Sequence, residues 1–578
     1  MKPFLPVCRR AAVLGAAFVL SFVPLLLLTG CNSSVDSMAA DNALLLNAPS
    51  PQWQDQIIYF VLTDRFNDGD TSNDNQGAGE FDPTMESKYS GGDIRGIQQK
   101  IAYIQGLGAT AVWLTPPVAN QWWDPLVNYG GYHGYWAADF TQVDRHMGSV
   151  GDYQQLSSAL HKAGMYLIQD IVVNHTGDFF AYQGGWNANN PAQFWIRNAG
   201  SVPVTAPTQA PFNEDDPTDP AQQAAAIYHW TPDISNFQDQ NQLFNYQLFG
   251  LDDLNTGNPV VRTALRSSYG YWIKTVGVDA FRIDTAFYVP QTFFSDFMNS
   301  TETAAPGIFQ VAQSTGRTAF HAFGEGQGQD AAYDDTISKK IQTYMSDANG
   351  NDILPAMLNY TLYYTLVDVL ENGHPAAELS YRIRDMMQVF KRPYLMPTFL
   401  DNHDVNRFLS AGSLAGLQQG LVLLMTLPGI PVIYYGTGQQ FSVQRASMFA
   451  AGYASGGKDH FDTSAPMYRF IAQLSALRKQ YKVFSRGTPA ILQDNGNSPG
   501  ILAYSMSYAG STAIVVINTS DTDTQTAHFA PGLPAGSVLT SQIAVGATAP
   551  NLFVAADGTV TQSLLPRSAY VWLAAAGS

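Results

Sequence analysis

Short apolar runs alternate along the chain with longer stretches in which apolar residues recur every three or four positions. One such stretch places Ile94, Ile97, Ile101, Ile104 and Leu107 on a single face, which predicts an amphipathic helix over 94–107. Strands that alternate with helices in this way predict a parallel sheet with helical crossovers. The predicted strands are Ile57–Leu62, Ala111–Leu114, Tyr166–Val173, Val278–Ile283, Ala319–Gly324, a segment near Ile341–Met345, Pro397–Leu400 and Gly429–Tyr435.

Eight strands separated by helices predict an α/β protein built on a (β/α)8 TIM barrel, whose chemistry lies at the C-terminal ends of the strands. Residues 176–256 interrupt the alternation with a segment rich in Asn, Pro, Gln and Asp. A segment of this length predicts an inserted domain after strand three. After residue 485, short alternating strands predict a C-terminal β-sandwich domain at 485–578. The barrel is therefore expected to occupy 51–175 and 257–484.

The first 30 residues have the composition of a targeting segment. Lys2, Arg9 and Arg10 precede an apolar run, Ala11–Leu28, and the sequence Leu-Thr-Gly-Cys then ends at Cys31. This pattern resembles a bacterial lipoprotein signal, in which Cys31 carries the lipid and becomes the mature N-terminus. An uncleaved membrane helix is the alternative. We expect an exported protein, anchored in the cell envelope at the periplasmic side or the cell surface, with a flexible tether at 31–50.

Charge and cysteine content limit the possible partners. The formal net charge of -17 argues against nucleic acid and anionic membrane surfaces, and suits a neutral substrate. The lipid on Cys31 is thus the one membrane contact expected, and the protein is expected to act as a monomer. Because Cys8 leaves with the signal and Cys31 is the one other cysteine, the mature chain forms no intrachain disulfide.

Two charged residues interrupt the fourth predicted strand. Arg282 and Asp284 are two positions apart, so their side chains emerge on the same face of the strand. Burial of either charge alone is costly, so the two residues must be paired or functional. A structural ion pair and a catalytic carboxylate held ionised by its arginine are both consistent with this segment alone.

Polar side chains also gather at the C-terminal ends of the other predicted strands. A single histidine or aspartate at such a position is usually structural, but three carboxylates, two histidines and an arginine that converge in one barrel indicate an active site. These residues are Asp170, Asn174 and His175 after strand three, Arg282 and Asp284 on strand four, Glu325 after strand five, and His403 and Asp404 after strand seven.

The segments that carry these residues are D-I-V-V-N-H, F-R-I-D, F-G-E and F-L-D-N-H-D. In this order and spacing they resemble the four signature regions of the α-amylase family, glycoside hydrolase family thirteen. The segment Leu251–Asn255, L-D-D-L-N, is similar to a further region at the end of that family's inserted domain. The resemblance extends from about residue 53 to the C-terminus.

The resemblance implies a role for each matching residue. Asp284 would be the nucleophile of a retaining glycosidase, Glu325 the general acid and base, and Asp404 the residue that stabilises the transition state. Retention needs two carboxyl groups about 5–5.5 Å apart, which neighbouring strands can provide. An arginine beside Asp284 is expected to lower the pKa of that carboxyl. The residues expected to bind substrate are His133, Tyr135, Asp170, His175, Arg282, Phe287, Tyr288 and His403.

An acidic loop follows the first strand. Its oxygen-bearing side chains and glycines suit a hard cation such as calcium, although a solvated acidic turn is the alternative from these residues alone. The loop looks like the additional calcium site of cyclodextrin glucanotransferases and maltogenic amylases, which implies the ligands Asp68, Asp70, Asn73, Asp74, Gly91 and Asp93. The family also implies a second calcium at Asn174, Asp253 and the carbonyl of Tyr288.

The sequence departs from the family at Phe287 and Tyr288. Many α-amylases have Lys-His here, in contact with sugars on the leaving-group side, so the substitution affects product size and the balance between hydrolysis and transfer. The favoured function is a retaining, endo-acting hydrolase of α-1,4 bonds in starch or maltodextrin. A cyclomaltodextrinase or transglycosylase of the same family is the alternative, and a non-catalytic carbohydrate-binding protein is a remote one. Preferred glucan, product length, α-1,6 activity and membrane face stay open at this level.

Overall fold

The computed structural model describes residues 43–574. The chain divides into two units, Met1–Leu44 and Leu45–Ser578. The predicted signal segment 1–30, the lipid-bearing Cys31 and residues 31–42 of the predicted tether lie outside the described residues. Among the residues that are described, no helix has both the length and the apolar character needed to span a membrane.

Eight parallel strands form the centre of the larger unit. Three of them, Ile58–Val61, Ala111–Leu114 and Ile430–Tyr434, are apolar or aromatic throughout and wholly buried, as expected for a parallel sheet covered by helices. The strands are β1 (Ile58–Val61), β2 (Ala111–Leu114), β3 (Tyr166–Ile171), β4 (Ala280–Ile283), β5 (His321–Gly324), β6 (Ala356–Met357), β7 (Pro397–Thr398) and β8 (Ile430–Tyr434).

The order of strands in this sheet is β6-β5-β4-β3-β2-β1-β8-β7. The remaining gap, between β6 and β7, is bridged where the Asn359 N–H donates to the Pro397 carbonyl at 3.0 Å. The sheet therefore curls into a nearly closed barrel, and the predicted TIM-barrel class is confirmed. All eight C-terminal strand ends consequently face the same rim.

Helices connect the strands and cover the outside of the barrel. Ser149 and Asp152 form a capping box at the start of one of them, the helix Val150–Lys162. The helices are Thr63–Phe66, Ile94–Gln99, Ile101–Gly106, Val150–Lys162, Pro220–Ala225, Gln240–Asn245, Pro259–Thr275, Gln291–Asn299, Ile308–Ser314, Thr336–Met345, Tyr360–Leu370, Ala376–Val389, Leu414–Thr426, Pro466–Gln480 and Val483–Arg486.

Two predicted elements differ from the structure. The segment predicted as the sixth strand belongs to the helix Thr336–Met345, and the sixth strand is Ala356–Met357. Ile341, Tyr344 and Met345 are the buried residues of this segment, and their spacing is that of one helical face. The predicted helix over 94–107 is two helices that meet at Lys100, whose backbone leaves the helical conformation.

The predicted tether ends earlier than residue 50. The Leu45 N–H donates to Ser158 Oγ at 2.9 Å, and Arg317 donates to the Leu46 carbonyl at 2.6 Å. Gly277 permits this approach, because a Cβ at its position would lie 2.0 Å from the Leu46 carbonyl oxygen. Residues 45–50 therefore form part of the folded unit.

The inserted segment, residues 176–256, forms a compact excursion with little regular structure. It contains the hairpin Phe180–Tyr182 with Trp195–Arg197 and two short helices. Its two ends meet at the barrel rim, where His175 and Asp253 form an antiparallel bridge. The excursion therefore lies on the side of the barrel where the strands end.

The C-terminal part is all β and consists of a six-stranded antiparallel sheet and a separate pair of strands. Alternate residues of one strand pack in different directions: Leu502, Tyr504 and Met506 join the barrel core, whereas Ile501 and Ala503 join a core internal to this domain. The strands are β9 (Thr488–Asp494), β10 (Ile501–Tyr508), β11 (Ser511–Asn518), β12 (Gln525–Phe529), β13 (Val538–Val545), β14 (Leu552–Phe553), β15 (Val560–Leu564) and β16 (Ala569–Ala574).

Candidate active site

Arg282 on β4 lies at the centre of the carboxylates at the barrel rim. Its Nη1 is 2.9 Å from Asp170 Oδ1 and 2.8 Å from Asp284 Oδ1. Its Nη2 is 2.9 Å from Glu325 Oε2. One guanidinium thus orients carboxylates from three neighbouring strands, which matches the planar, bidentate geometry that arginine offers.

Sheet register places the two central carboxylates side by side. Ile283 on β4 pairs with Gly324 on β5, so Asp284 and Glu325 follow as the next residues of adjacent strands. Adjacent strands lie about 4.8 Å apart. This spacing is close to the separation found in retaining glycosidases and shorter than that in inverting ones.

Two further groups hold Glu325. The Thr285 backbone N–H donates to Glu325 Oε2 at 3.1 Å, and the Tyr360 hydroxyl donates to Oε1 at 3.0 Å. Thr285 has a left-handed backbone with φ of 47°, which is unusual for a β-branched residue and is typical of strained functional sites. The chain therefore turns sharply after Asp284 and brings a donor to its neighbour.

The third carboxylate comes from the loop after β7. His403 Nε2 lies 3.2 Å from Asp404 Oδ2, and Arg445 lies 3.7 Å from the other oxygen. Arg445 also donates to the His403 carbonyl and to the Tyr132 hydroxyl. Asp404 is 31% exposed, so it reaches further into the open cleft than Asp284 and Glu325 do.

A cavity of about 490 Å³ opens at this rim. It brings together most of the residues predicted from the sequence, with all three carboxylates of the predicted triad among them. The predicted residues that line it are Tyr135, His175, Asp284, Phe287, Tyr288, Glu325, His403 and Asp404.

Three predicted substrate-binding residues lie below the cavity surface instead. Asp170 is fully buried and accepts hydrogen bonds from Trp113 Nε1 and the Tyr135 hydroxyl, both at 2.9 Å. Arg282 and His133 are also buried and do not line the cavity. Their positions support and orient the lining residues, and direct substrate contact by Asp170, Arg282 and His133 stays a prediction.

Tyr135 is held between two histidines. Its ring centroid lies 5.6 Å from that of His133 and 5.2 Å from that of His403, both in stacked orientations. Burial lowers the pKa of His175 to about 4 and those of His133 and His403 well below the ordinary value. The histidines are therefore neutral near pH 7 and can donate hydrogen bonds without adding charge to the site.

The expected effect of Arg282 on the pKa of its neighbour Asp284 is outweighed by burial. Burial raises the pKa of Asp284 well above its ordinary value, Arg282 opposes this rise, and the charge of Glu325 adds to it. Burial likewise raises the pKa of Asp170 to about 6, against its bonds to Arg282. Arg282 thus acts on the pKa of Asp284 in the predicted direction, but no net lowering results, because desolvation and the surrounding carboxylates outweigh a single cation.

Several residues of the site were not predicted. The inserted segment contributes an apolar wall, and the helix after β5 contributes a lysine. Apart from Leu251, which opens the segment L-D-D-L-N, none of them belongs to a motif quoted above. The two phenylalanines of this wall, Phe237 and Phe249, are unusual only in being large and exposed. The unpredicted lining residues are Phe237, Leu243, Leu248, Phe249, Leu251, Thr285, Gln327 and Lys340.

The acidic loop after β1 has the properties of a cation site. Asp68 Oδ1, Asn73 Oδ1 and Asp74 Oδ1 are buried and have no hydrogen-bond partner among the described residues. Burial and the nearby charges of Asp68 and Asp93 raise the pKa of Asp74 to about 7. Unpartnered oxygens and crowded carboxylates fit the preference of calcium for six to eight oxygen ligands. Asp93 is fully buried in the same cluster.

Two predicted ligands of this loop differ in what they offer. The carboxylate of Asp70 pairs with Arg95 at 2.7 Å and accepts from Ser72, so its side chain is already engaged. Gly91 lies against Asp74, where an added Cβ would be 2.7 Å from Asp74 Oδ1. Gly91 therefore leaves the space beside that carboxylate open.

The second predicted calcium site fits less well. Asp253 hydrogen-bonds through Oδ2 to His229 Nδ1, and Asn174 Nδ2 lies 3.3 Å from His175 Nδ1. Burial raises the pKa of Asp253 to about 6, opposed by its bond to His229. Because the carboxylate of Asp253 is already hydrogen-bonded to the imidazole of His229, these side chains and the carbonyl of Tyr288 do not by themselves indicate a metal.

Among the described residues, Asp368, His374 and Glu378 form another possible ligand group, on two successive helices and the loop between them. His374 is exposed and already hydrogen-bonds to Glu378 at 3.0 Å. Surface acidic groups of this kind are common, and nothing else in the structure connects this group to a ligand.

The barrel and its carboxylate-lined cleft define a glycoside-hydrolase type of TIM-barrel enzyme. The family model described as "Alpha amylase, catalytic domain" matches residues 60–451. This match covers more than half of the chain, and the chain therefore belongs to the α-amylase family.

Two curated relatives illustrate the range of the family. A cyclomaltodextrin glucanotransferase of Klebsiella oxytoca is 30% identical over 503 residues, which cover 81% of this chain and 71% of that protein. A beta/alpha-amylase of Paenibacillus polymyxa is 29% identical over 561 residues, covering 93% of this chain. The chain spans 39% of the length of the latter.

Two solved structures share the fold over nearly their whole length. The α-amylase GTA of Geobacillus thermoleovorans, solved with acarbose, is 27% identical with a TM-score of 0.69, covering 92% of this chain and 100% of that one. CldA, a cyclomaltodextrin glucanotransferase with a three-domain ABC distribution, is 25% identical with a TM-score of 0.71, covering 91% and 99%.

Proposed function

We propose that the protein is a retaining, endo-acting α-glucan hydrolase that cleaves α-1,4 bonds of starch or maltodextrin. The observation that carries this proposal is the pair Asp284 and Glu325, on adjacent strands and bound to the same guanidinium of Arg282. The open cleft above them suits an internal segment of a chain. The family relationship supports an α-glucan as the substrate.

The reaction follows from these positions. Asp284 Oδ attacks the anomeric carbon and forms a covalent glycosyl-enzyme, while Glu325 gives its proton to the departing glycosidic oxygen. Water then enters, Glu325 takes a proton from it, and the resulting hydroxide displaces Asp284 from the anomeric carbon. Asp404 lies across the cleft, where its carboxylate can accept hydrogen bonds from sugar hydroxyls and stabilise the positive charge that develops.

The shared arginine and the burial of the site serve both steps. The single positive charge of Arg282 cannot neutralise all three carboxylates that contact it. The site therefore retains a proton, which the acid step requires. As the glycosidic bond breaks, positive charge develops beside Asp284 and favours its ionised form. The neutral histidines His175 and His403 can donate to the sugar without competing for that charge.

The decisive experiment is a pair of variants, Asp284→Asn and Glu325→Gln, assayed on soluble starch and maltoheptaose. We expect at least a 10³-fold loss of kcat in each, with thermal midpoints close to the wild-type value. Glu325→Gln treated with α-maltotriosyl fluoride should accumulate a covalent adduct on Asp284, because fluoride leaves without an acid. Asp368→Asn, on the surface, is the control. Substantial turnover in either active-site variant contradicts the assignment.

A transglycosylase or cyclomaltodextrinase is the second candidate. CldA is a transferase with the same three-domain extent as this fold, so domain number does not separate transfer from hydrolysis. The aromatic residues at the cleft mouth also suit the binding of an acceptor sugar. Products of maltoheptaose and β-cyclodextrin, resolved by chain length, discriminate: longer or cyclic sugars in excess of hydrolysis favour transfer.

We also propose that the loop after β1 binds calcium. Asp68, Asn73, Asp74 and Asp93 would hold the ion through their side chains, and Gly91 leaves room beside them. A bound ion would neutralise the crowded carboxylates and tie this loop to the barrel. EDTA should lower the thermal midpoint and excess calcium should restore it, whereas Asp74→Asn should abolish the response. An unchanged midpoint in EDTA contradicts the proposal.

The cellular location remains a proposal from the sequence. We propose export and lipid attachment at Cys31, with the enzyme a monomer on the periplasmic or outer face of the envelope. Cys31→Ser should move the protein from the membrane fraction to the soluble fraction and remove incorporation of labelled fatty acid. Light scattering of the soluble variant should give the mass of one chain. Membrane retention of Cys31→Ser would favour an uncleaved helix.

A further inference from the structure

The cleft extends beyond Glu325 on the side where the leaving sugar must lie, because Glu325 protonates the departing oxygen. The next residue, Gly326, is covered by the ring of Phe287: a Cβ at Gly326 would lie 2.5 Å from Phe287 Cε1. Phe287 therefore borders the leaving-group side of the cleft.

A lysine from a different element reaches the same place. Lys340, in the helix Thr336–Met345, lines the cavity, and its Nζ lies 4.2 Å from the centroid of the Phe287 ring. Across residues 43–574 the ion pairs do not include Lys340, whereas its neighbour Lys339 pairs with Asp335 at 2.9 Å. The Lys340 ammonium is thus held by an aromatic face, and its N–H groups stay available to an acceptor in the cleft.

We propose that Lys340 is a specificity-determining residue that binds the hydroxyls of the leaving-group sugar. The inference rests on the proposed α-glucan hydrolase function. An ammonium is a compact donor on a flexible stem, suited to the vicinal hydroxyls of a sugar. Phe287 fixes the direction of the lysine and offers its own edge to the ring of the same sugar.

The same cavity is also lined by two exposed aromatic rings of the inserted segment. Phe249 is 76% exposed and Phe237 is 44% exposed, and their ring centroids are 6.2 Å apart. A hydrogen bond from the Gly250 N–H to Asp233 Oδ1, at 2.7 Å, stabilises the turn that carries Phe249. Large exposed rings on an ordered turn are typical of binding surfaces. A sugar that contacts both these rings and Lys340 would be bound by stacking on the rings and by hydrogen bonds from the lysine.

The test compares two substrates that differ only in what leaves. Maltoheptaose places sugars on both sides of the scissile bond, whereas α-maltotriosyl fluoride places none on the leaving side. Lys340→Met keeps the stem over Phe287 and removes the charge. We expect kcat/KM on maltoheptaose to fall about tenfold, chiefly through KM, because a hydrogen bond from a charged group is lost. On the fluoride, where no sugar meets residue 340, the change should stay within about twofold.

Two companion variants complete the design. Lys340→Arg restores a cation and should recover most of the loss on maltoheptaose, and Lys339→Met removes the neighbouring surface charge without effect on either substrate. An equal loss on both substrates, or no loss on maltoheptaose, overturns the role of Lys340. Inactivity of the wild-type enzyme on both substrates would instead overturn the proposed function, so the two failures are distinguishable.

Discussion

At the scale of single residues, Arg282 explains how several buried carboxylates coexist. Asp170 faces it directly across the β3–β4 register, and Trp113 and Tyr135 donate to the same carboxylate. Asp170 is therefore fully satisfied and fixes the arginine. Asp284 and Glu325 share the rest of the guanidinium. The positions of both carboxylates therefore depend on a buried arginine that does not line the cavity.

Tyr360 is a positioning residue for the acid, since its hydroxyl donates to Glu325 Oε1. We expect Tyr360→Phe to lower kcat on maltoheptaose about tenfold with little change in KM, because the carboxyl loses one of its orienting bonds. The pH–rate profile should also shift, since that bond acts differently on the two forms of the acid. Tyr363→Phe, one helical turn away, is the control. A change in KM alone would point to substrate binding instead.

At the scale of elements, the short segment 45–50 closes the N-terminal side of the barrel. Arg317 is fully buried and donates to the Leu46 and Gly277 carbonyls and to Asp279. His161 Nδ1 lies 2.7 Å from the Leu45 carbonyl. The backbone carbonyls of this segment thus pair with buried side chains from two separate parts of the barrel, His161 and Arg317.

Removal of this segment should destabilise the protein. We expect a chain that begins at residue 51 to unfold with a free energy about 2–4 kcal/mol lower than one that begins at residue 43, because buried donors of Arg317 lose their acceptors. Denaturant unfolding followed by tryptophan fluorescence measures the difference. Equal stability of the two chains would show that residues 45–50 act only as a tether.

At the scale of the whole molecule, long-range contacts join parts that are distant in sequence. Gln419 of a barrel helix donates to the carbonyls of Asn518 and Ser568 in the C-terminal part, and one face of that sheet shares the barrel core. Barrel and C-terminal sheet therefore stabilise each other. His146 makes a similar long-range contact within the barrel part of the chain. Its ring nitrogens lie 2.9 Å from Asp144 Oδ1 and 3.2 Å from Glu80 Oε1.

This histidine predicts a pH dependence of stability. Burial lowers the pKa of His146, but its bonds to Asp144 and Glu80 outweigh burial and raise it to about 9. Because this lies above the ordinary value near 6.5, the stabilisation is complete below about pH 6.5 and is lost as pH rises through 9. The stability difference between wild type and His146→Gln should therefore shrink by up to about 3 kcal/mol from pH 6 to 9.5.

Urea unfolding at a series of pH values measures that difference. His374→Gln removes an exposed histidine and serves as the control, with no comparable trend expected. Parallel curves for the wild type and His146→Gln across this range would show that the protonation of His146 does not contribute.

The sequence by itself determined the barrel and which carboxylates gather at its C-terminal rim. Seven of the eight strands are recognisable as apolar runs, because a parallel strand covered on both faces must be apolar along its length. Asp284, Glu325 and Asp404 could be located because polar residues at such strand ends are costly unless they function. Strand six was missed because it is two residues long and a helical face nearby carried the stronger apolar signal.

Only the tertiary structure decided what surrounds those carboxylates. The pKa of Asp284 depends on burial and on three carboxylates from other strands. These contributions cannot be read from the sequence around Asp284 alone. Lys340 and Phe249 enter the cleft from elements that are 15 residues after and 76 residues before Glu325, without any motif. The walls of the cleft form where loops from separate parts of the chain come together above the rim. The packing of the whole chain determines the positions of these loops.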